Sequence, residues 1–599
     1  MGKLSILTLL GASLGSVLAG WDSPEYKNFY SVPVPIAPIK QPKAILTNNH
    51  TGKPIQYYEI DIKPLQMEVY PGKKTRLVGY DGLVPGPTFM MEKGVEAIVR
   101  FINHGDLPNS VHLHGSYSRA PFDGWAEDTT GVGQYKDYYY PNSQNARTLW
   151  YHDHAIDHTA ENAYFGQAGF YILHDPEERA LGLPEGKYDI PLALASKRYN
   201  KDFSLWDPEK NGETTSVYGD VIHVNGQPWP FLNVEPRKYR FRWCNTGISR
   251  SFLLYLEEST AAGKKLPFTV IASDAGLLER PVVAKDLYIS MAERWEIVID
   301  FAAYAGKKIT VRNDKGFSAD SDFTATDRVM QFVVAKSMAP GPVVGNGVIP
   351  SRLRTVPYPP PKSGIDRSFT FERSGGQWNI NGVTWAQVNN RIMAKPQRGA
   401  IEIWQLENKS GGWSHPIHIH LVDFQVMSRS GGKKRGVLPY EAAGLKDVVW
   451  LGPNEKVTVL ARYAPWDGVY MFHCHNLIHE DHEMMAAFNV TSLNDFNYTE
   501  TTKFIDPMEA QYRAKPIQTG EFNSVQTWGT GEFSEASVRA KGDWFSNMDA
   551  YSIVDKVDQA LEDYWHRTPV KVREAAPEPE VESTPLSKSK ARRGVSYSA

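Results

Sequence analysis

His473-Cys474-His475-Asn476-Leu477-Ile478-His479 lies near the C-terminal end of the chain, and Met484 follows five residues after its last histidine. Side chains alternate between the two faces of an extended strand, so His473 and His475 point to one face and Cys474 to the other. This stretch therefore predicts a single strand that takes part in two separate sites, one on each of its faces.

The site on the cysteine face combines a thiolate, imidazoles and a thioether. Two histidines, one cysteine and a weak axial methionine are the ligands of a blue copper centre, which transfers electrons. Residues 415–420 read His-Pro-Ile-His-Ile-His, and the same alternation places the first histidine on the face opposite to the other two. The predicted ligands of this copper are His415, Cys474, His479 and Met484.

The site on the opposite face collects pairs of histidines. Two further pairs stand far upstream, His112-Leu113-His114 and His152-Asp153-His154. A lone His-x-His is more often a structural feature than a metal ligand, but four such clusters, one with Cys and a spaced Met, favour metal binding. The histidines predicted to form this second metal site are His112, His114, His152, His154, His418, His420, His473 and His475.

The N-terminus predicts secretion. Lys3 precedes the apolar stretch 4–14, and residues 17–19 read Val-Leu-Ala, so residues 1–19 are typical of a signal peptide too short to span a membrane. Sequons at Asn49, Asn408, Asn489 and Asn497 predict a glycoprotein. We expect a secreted, extracellular protein.

Cysteine count and charge limit the structure and the partners. Cys474 is required as a thiolate, which leaves Cys244 without a disulfide partner and predicts a small buried hydrophobic side chain there. The net charge is −3, no basic cluster precedes the C-terminal tail, and no later apolar run approaches 18 residues. We expect a monomer that binds neither nucleic acid nor a membrane.

An internal repeat predicts three β domains. A Gly-containing turn followed by a period-2 strand that ends at Asn occurs three times, with the turns at Asp81-Gly82, Asn225-Gly226 and Asn381-Gly382. Histidine motifs follow the first and third copies, so the middle copy is predicted to be a structural spacer without copper ligands.

The repeat and the composition predict a series of segments. The C-terminal extension carries one amphipathic helix, because apolar residues recur at helical spacing from Ile553 to Tyr564. The predicted segments are a signal peptide (1–19), an N-terminal segment open to processing (20–44), domain 1 (45–180), domain 2 (181–350), domain 3 (351–510), the extension (511–566) and a disordered tail (567–599).

The copper motifs resemble those of the multicopper oxidases, a family built from cupredoxin domains. Within this family the chain is similar to the fungal bilirubin oxidases over roughly residues 45–515. Stretches beyond the ligands that carry the resemblance are 122–128, 136–142, 219–242, 444–452 and 468–489. The fold implied is all-β, with three cupredoxin-like Greek-key β-sandwich domains and a short C-terminal helical extension.

The resemblance also implies roles for individual residues. His415, Cys474, His479 and Met484 would bind type 1 copper, His112 and His418 type 2 copper, and the remaining six histidines the type 3 pair, which makes four copper ions per chain. A small-molecule donor such as bilirubin would be oxidised to biliverdin at type 1 copper, while dioxygen is reduced to water at the other three. Asp123 and Glu480 would relay protons.

Several alternatives remain open on the sequence. Asp123 is also compatible with a loop cap and Glu480 with a solvated side chain, while Trp413 fits either the surface for electron uptake or the core. A laccase-like phenol oxidase would use the same copper ligands with a different donor. An electron carrier would need only the type 1 set, which the eight other histidines disfavour, and the scattered methionines disfavour a cuprous oxidase.

Overall fold

The computed structural model describes residues 20–493 except 319, 321 and 342, together with 506–523, 528–547 and 554–567. The predicted signal peptide, the sequon at Asn497 and the predicted tail from residue 568 onward lie outside the described residues. Within these ranges, no helix combines the length and apolar character that crossing a membrane requires.

Three pairs of β-sheets follow one another along the chain. The first pair has the strand orders β1-β2-β5-β7-β33, with β3 beside β2, and β4-β9-β8-β6. Its elements are β1 (Ala44–Thr47), β2 (Pro54–Tyr70), β3 (Lys73–Tyr80), β4 (Gly86–Glu92), β5 (Glu96–Asn103), β6 (Val111–His114), β7 (Gln134–Tyr140), β8 (Arg147–Asp153), α1 (Thr159–Phe165), β9 (Ala168–His174), α2 (Pro176–Arg179) and, from the C-terminal extension, β33 (Lys515–Pro516).

The middle pair has the orders β12-β11-β10-β14-β20-β17-β18 and β13-β22-β21-β15-β16, with β19 beside β15. Its strands are β10 (Asp189–Lys197), β11 (Val221–Val224), β12 (Gln227–Pro228), β13 (Phe231–Val234), β14 (Lys238–Asn245), β15 (Phe252–Glu258), β16 (Lys265–Leu266), β17 (Phe268–Ser273), β18 (Gly276–Ala284), β19 (Asp286–Ile289), β20 (Arg294–Asp300), β21 (Lys308–Asn313) and β22 (Arg328–Val334).

The third pair has the orders β24-β23-β26-β30-β28 and β25-β32-β31-β27-β29. The prediction of an all-β fold is therefore confirmed. The elements of this pair are β23 (Arg367–Ser374), β24 (Gln377–Ile380), β25 (Ile392–Ala394), β26 (Ile401–Asn408), β27 (His415–Ile419), β28 (Phe424–Gly431), α3 (Pro439–Ala442), β29 (Val448–Leu451), β30 (Glu455–Arg462), β31 (Gly468–Cys474), α4 (Leu477–Asp481) and β32 (Met485–Val490).

The three pairs share one strand arrangement. In each, a strand pairs in parallel with a second strand, which pairs antiparallel with a third: β2-β5-β7, β10-β14-β20 and β23-β26-β30. The predicted turns occur with both central residues at positive φ, at Asp81-Gly82, Asn225-Gly226 and Asn381-Gly382. Such turns match the twist of a hairpin and explain why Asp, Asn and Gly recur there.

The asparagine that ends each repeated strand has the same structural role in all three pairs. Asn103, Asn245 and Asn408 are buried, and each side-chain oxygen accepts a hydrogen bond from the backbone N–H two residues later, at 2.9 to 3.0 Å. Each side-chain amide donates to backbone carbonyls of neighbouring loops. The repeated Asn therefore has a structural role: its side chain holds the following loop in place.

The C-terminal extension contains two helices where the sequence predicts one. Helix α6 (Val554–Arg567) matches the predicted amphipathic helix, and α5 (Glu535–Ser546) precedes it. The apolar face of α5 is sparse, with Val538 and Phe545 buried and Gly542 lying against Leu46, where a Cβ would come within 2.6 Å of a methyl group. A helix whose buried face includes glycine has a weak periodic signal, which explains why the pattern missed it.

The first and third pairs of sheets are packed together. One continuous hydrophobic cluster joins residues 46–173 of the first pair to residues 369–490 of the third, and includes Cys474 and Met484. The middle pair has its own cluster, which also takes in Leu477 and Ile478 of α4. The histidine motifs of the first and third pairs are thus brought face to face, and the middle pair packs against the helix that carries His479.

Candidate copper sites

A small triangle of ligand atoms lies on the cysteine face of β31. Nδ1 of His415 lies 3.3 Å from the Cys474 Sγ, Nδ1 of His479 lies 3.6 Å from it, and the two nitrogens are 3.1 Å apart. A triangle of this size has its centre roughly 1.9 Å from each corner, close to the roughly 2.0–2.3 Å of metal–nitrogen and metal–sulfur bonds. The three residues therefore fit a metal ion at that centre.

The protonation states favour a cation at this triangle. Burial lowers the pKa of His415 to about 3, so its imidazole is neutral and able to donate a lone pair. Burial raises the pKa of the Cys474 thiol well above its ordinary range, so the thiolate forms only if a bound cation offsets that cost. Met484 is buried beside it, with its backbone oxygen accepting from the Cys474 N–H at 3.2 Å.

Neighbouring side chains orient the two imidazoles of the triangle. The Ser410 hydroxyl lies 2.7 Å from Oδ1 of Asn408 and 2.6 Å from Nε2 of His415. If this hydroxyl donates to the amide oxygen, it accepts from Nε2–H, which leaves the Nδ1 lone pair of His415 facing the sulfur. Trp378 stacks on His479 with ring centroids 3.7 Å apart.

The protein surface lies close to this triangle. Trp413 is half-buried, and its ring meets that of buried Trp378 edge-on at 5.2 Å. The half-buried Arg373 guanidinium lies 5.2 Å from the Trp378 ring and 5.7 Å from the Trp413 ring. A donor that contacts Trp413 and Arg373 would therefore be separated from His479 by one aromatic layer.

The eight paired histidines are brought together between the first and third pairs of sheets. The shortest approaches between ring nitrogens across the interface join His112 to His418 at 3.4 Å and His154 to His473 at 3.2 Å. Four groups of ligand atoms, each within 4.8 Å, result: His112 with His114 and His152, His112 with His418 and His420, His154 with His420 and His473, and His114 with His418 and Asp447.

Two facing lone pairs in this cluster favour a cation. Nδ1 of His112 donates to the Asp123 carbonyl at 2.5 Å, and Nδ1 of His418 donates to the Asp447 carbonyl at 2.8 Å. Each Nε2 is then the unprotonated nitrogen, and the two Nε2 atoms face each other. Both ring nitrogens of His475 are buried without a hydrogen-bond partner, and its ring lies 5.1 Å from that of His152. The donor set therefore fits several metal ions.

The two predicted acidic residues touch this histidine cluster. Oδ2 of Asp123 lies 2.7 Å from Nδ1 of His420, while Oδ1 is buried without a partner. Oε2 of Glu480 lies 2.8 Å from Nδ1 of His473, without the alignment of a hydrogen bond, and Oε1 lies 3.5 Å from Nδ1 of His154. Both carboxyls are buried. Glu480 is therefore not a solvated side chain, whereas Asp123 both ends the short helical turn 120–122 and directs its carboxyl at His420.

The sequence did not single out two further residues: Asp447, which contacts the cluster, and Arg294, which contacts Asp447. Oδ1 of Asp447 lies 3.2 Å from Nε2 of His114, and Arg294 donates to both Asp447 oxygens. Asp447 lies within the stretch 444–452, so the resemblance pointed near it. Arg294 belongs to the middle pair, whose described residues contribute to none of the candidate metal groups, and no pattern in the sequence marked it.

One predicted glycosylation site is buried instead. Asn408 is 1% exposed, because its amide donates to the carbonyls of Trp413 and Gly452. The Asn-Lys-Ser triplet here matches the sequon only by its letters, since Asn408 and Ser410 hydrogen-bond to each other in a turn. Asn49 is exposed and Asn489 is half-buried.

Known proteins share both the sequence and the fold. Residues 61–178 and 358–494 each match a family model described as "Multicopper oxidase". The chain is 55% identical over 542 residues to a bilirubin oxidase from Albifimbria verrucaria, covering 89% of this chain and 93% of that protein. It is 32% identical over 507 residues to a laccase from Bacillus subtilis, covering 74% of this chain and 96% of that one.

A crystal structure of a multicopper oxidase variant, McoA from Aquifex aeolicus, is similar with a TM-score of 0.67 at 27% identity. The matched region covers 77% of this chain and 100% of the Aquifex aeolicus chain. This similarity confirms the predicted cupredoxin-like architecture, and the identity to the oxidases confirms copper as the cofactor. The chain belongs to the multicopper oxidase family.

Proposed function

We propose that this chain is a secreted, monomeric oxidase that removes single electrons from bilirubin, giving biliverdin, or from related tetrapyrrole and phenolic donors. Four such electrons, together with four protons, would reduce one dioxygen to two waters. When bound, copper would supply the one-electron redox chemistry for both half-reactions, held by the residues of the cysteine face and of the histidine cluster. The proposed domains are 45–180, 181–350 and 351–510.

Four copper ions per chain are proposed from the donor set. His415, Cys474, His479 and Met484 would hold type 1 copper, and His112 and His418 would hold type 2 copper. The type 3 pair would be held by His114, His152, His154, His420, His473 and His475. The facing lone pairs of His112 and His418 support the cluster, since a cation between two unprotonated nitrogens 3.4 Å apart would be stabilised by both.

The observation that carries the proposal is the placement of both sites on one strand. The Cys474 Sγ lies with His415 and His479, while Nε2 of the preceding His473 lies with His154 and His420. A single residue step of backbone therefore connects the two ligand sets. Single-electron uptake at one face and multi-electron reduction at the other need such a connection.

Proton delivery is proposed for the two buried carboxyls. Burial raises the pKa of Asp123 well above its ordinary range, which favours the protonated carboxyl beside His420. Burial opposes ionisation of Glu480 as well, but the neighbouring His473 and His154 lower its pKa below the ordinary value. Asp123 would thus donate protons, while Glu480 would accept them from solvent and pass them on.

The surface near Trp413 supports an aromatic, anionic donor. Arg373 is the cation beside Trp378 and Trp413, and a guanidinium pairs well with carboxylates and with flat aromatic groups. Bilirubin carries two propionates on a conjugated system, whereas a simple phenol is smaller and neutral. The identity to a bilirubin oxidase points to the same substrate class.

Oxygen uptake by the copper-loaded protein tests the proposal. We expect rapid uptake with bilirubin, one dioxygen per four electrons and no released hydrogen peroxide. Turnover of a simple phenol at matched driving force, without turnover of bilirubin, would instead support a laccase-like phenol oxidase. Absence of uptake with both donors would contradict the proposed activity.

A further inference from the structure

Arg294, at the start of β20 in the middle pair of sheets, uses all of its donors. Nη1 and Nη2 donate to the two carboxylate oxygens of Asp447 at 2.6 and 2.5 Å. The other N–H groups donate to the carbonyls of Thr148, Ala292 and Asp274 at 3.0 to 3.1 Å. A guanidinium has five N–H groups in a fixed fork, so this side chain has a single possible orientation. It touches residues of all three pairs of sheets.

Asp447 connects this guanidinium to two histidines of the cluster. Its carboxylate oxygen lies 3.2 Å from Nε2 of His114, and its backbone oxygen accepts from Nδ1 of His418 at 2.8 Å. Both carboxylate oxygens are already paired with Arg294. A carboxylate oxygen of Asp447 also lies within 4.8 Å of ring nitrogens of His114 and His418, so Asp447 lies between the guanidinium and the histidines.

His114 is oriented differently from its neighbours. His112 and His418 direct Nδ1 to a carbonyl and Nε2 to the cluster, whereas His114 directs Nε2 to Asp447 and Nδ1 to Nε2 of His152, 3.4 Å away. The second ring nitrogen of a ligating histidine almost always donates to a carboxylate, a carbonyl or water, and this bond sets the tautomer. Asp447 thus determines which nitrogen of His114 is available.

We propose that Arg294 is a positioning residue for the copper cluster: it holds the Asp447 carboxylate against Nε2–H of His114, which leaves the Nδ1 lone pair directed at the metal position. This inference rests on the proposed function. It gives the middle pair of sheets a part in dioxygen reduction, although that pair was predicted to be a spacer.

The surroundings are built around this ion pair. A Cβ on Gly115, which follows His114 with φ +87°, would come within 2.5 Å of the Arg294 Nη2 and 2.8 Å of the Asp447 Oδ2. Asp274 accepts from the backbone N–H groups of Arg294 and Asp447 at 2.7 and 3.2 Å, and Lys446 lies 2.9 Å from it. The pair is therefore held from both sides, and glycine is the residue that leaves it room.

The variant Arg294→Lys tests the proposal, because a lysine donates from one point and cannot hold both oxygens of Asp447. The protein is loaded with copper(II), then dialysed against a chelator, and the retained copper and the near-ultraviolet absorption of the type 3 pair are measured. We expect copper retention in the cluster to weaken about 10- to 100-fold and the type 3 absorption signal to decrease. The blue absorption of the cysteine site should stay, because Arg294 does not touch it.

Arg240→Lys is the matched control. Arg240 is equally buried in the middle pair and bridges Glu178 and Glu296, with no contact to a cluster histidine. We expect it to lose stability while keeping the type 3 absorption signal of the unsubstituted protein. The same copper loss in both variants, or an unchanged signal in Arg294→Lys, would overturn the proposal.

Asp447→Asn serves if Arg294→Lys does not fold. The amide retains an oxygen for His114 but loses the charge that pairs with Arg294, so we expect a smaller change in the same signal. An unaltered signal and unaltered copper retention would again overturn the proposal. If the unsubstituted protein bound copper only at the cysteine site, the proposed function itself would be wrong, which separates the two failures.

Discussion

Replacing Asn408 by alanine should perturb the proposed blue copper site, although Asn408 is not one of its proposed ligands. The Asn408 amide donates to the carbonyls of Trp413 and Gly452 at 2.7 and 3.0 Å, and its oxygen accepts from the N–H and hydroxyl of Ser410 at 3.0 and 2.7 Å. Four hydrogen bonds at about 1 kcal/mol each give an expected loss of about 3–4 kcal/mol in the free energy of unfolding. The freed Ser410 hydroxyl would also release His415.

Asn245→Ala is the matched control, since Asn245 makes the corresponding turn in the middle pair of sheets. Its three bonds, to Arg250, Ile289 and Gly247, give an expected loss of about 2–3 kcal/mol. Urea unfolding of the copper-free proteins, followed by tryptophan fluorescence, measures both losses. Only Asn408→Ala should shift or weaken the blue absorption after copper loading. Equal blue spectra in the two variants, or a loss below about 1 kcal/mol for Asn408→Ala, would refute this reasoning.

Three further predictions concern the metal sites and pH. Cys474→Ser should remove the intense blue absorption and all oxygen uptake while circular dichroism shows the β fold retained; a blue variant would rule out the thiolate assignment. Asp123→Asn should slow oxygen uptake by about 10²- to 10⁴-fold, with bleaching of the blue colour by donor under anaerobic conditions unchanged; slower bleaching would place Asp123 outside the proton path. Burial lowers the pKa of Lys197 to about 7, whereas the unfolded chain titrates near 10.4. Between these pH values the unfolded state binds more protons, so this group makes stability rise with pH. Lys197→Met should remove that part of the rise, seen as a flatter melting temperature between about pH 7 and 10; an unchanged slope would contradict the shift.

Much of the fold could be predicted from the sequence because its turns and strands depend on residues that are close together in the chain. The turns at Asp81-Gly82, Asn225-Gly226 and Asn381-Gly382 need residues that tolerate positive φ, and such residues are few. The strands after them end at Asn because a buried turn needs a side chain that both donates and accepts. Helix α5 was missed, since its burial depends on packing against Leu46, which lies far away in the chain.

The sequence pointed to the histidines and the cysteine that meet in the candidate sites, but not to the side chains that hold them in position. Two histidines separated by one residue are recognisable as a pair because they lie on the same face of a strand. Asp123 follows one such pair closely. Arg294 carries no comparable signal, because its role depends on where Asp447 lies after three pairs of sheets have packed together. Trp378 likewise reaches His479 only through tertiary packing. Long-range contacts of this kind leave no spacing rule in the chain.

The proposed ligands of the two copper sites are separated by very different numbers of residues along the chain. Cys474 lies 59 residues from His415 and five from His479, whereas His418 lies 306 residues from His112 and His473 lies 319 from His154. During synthesis, the histidines of the first pair of sheets leave the ribosome long before their partners exist. The cluster therefore cannot close around metal until nearly the whole polypeptide has been made and packed. We therefore expect the histidine cluster to take up its metal late, after the histidines of the third pair of sheets have been made.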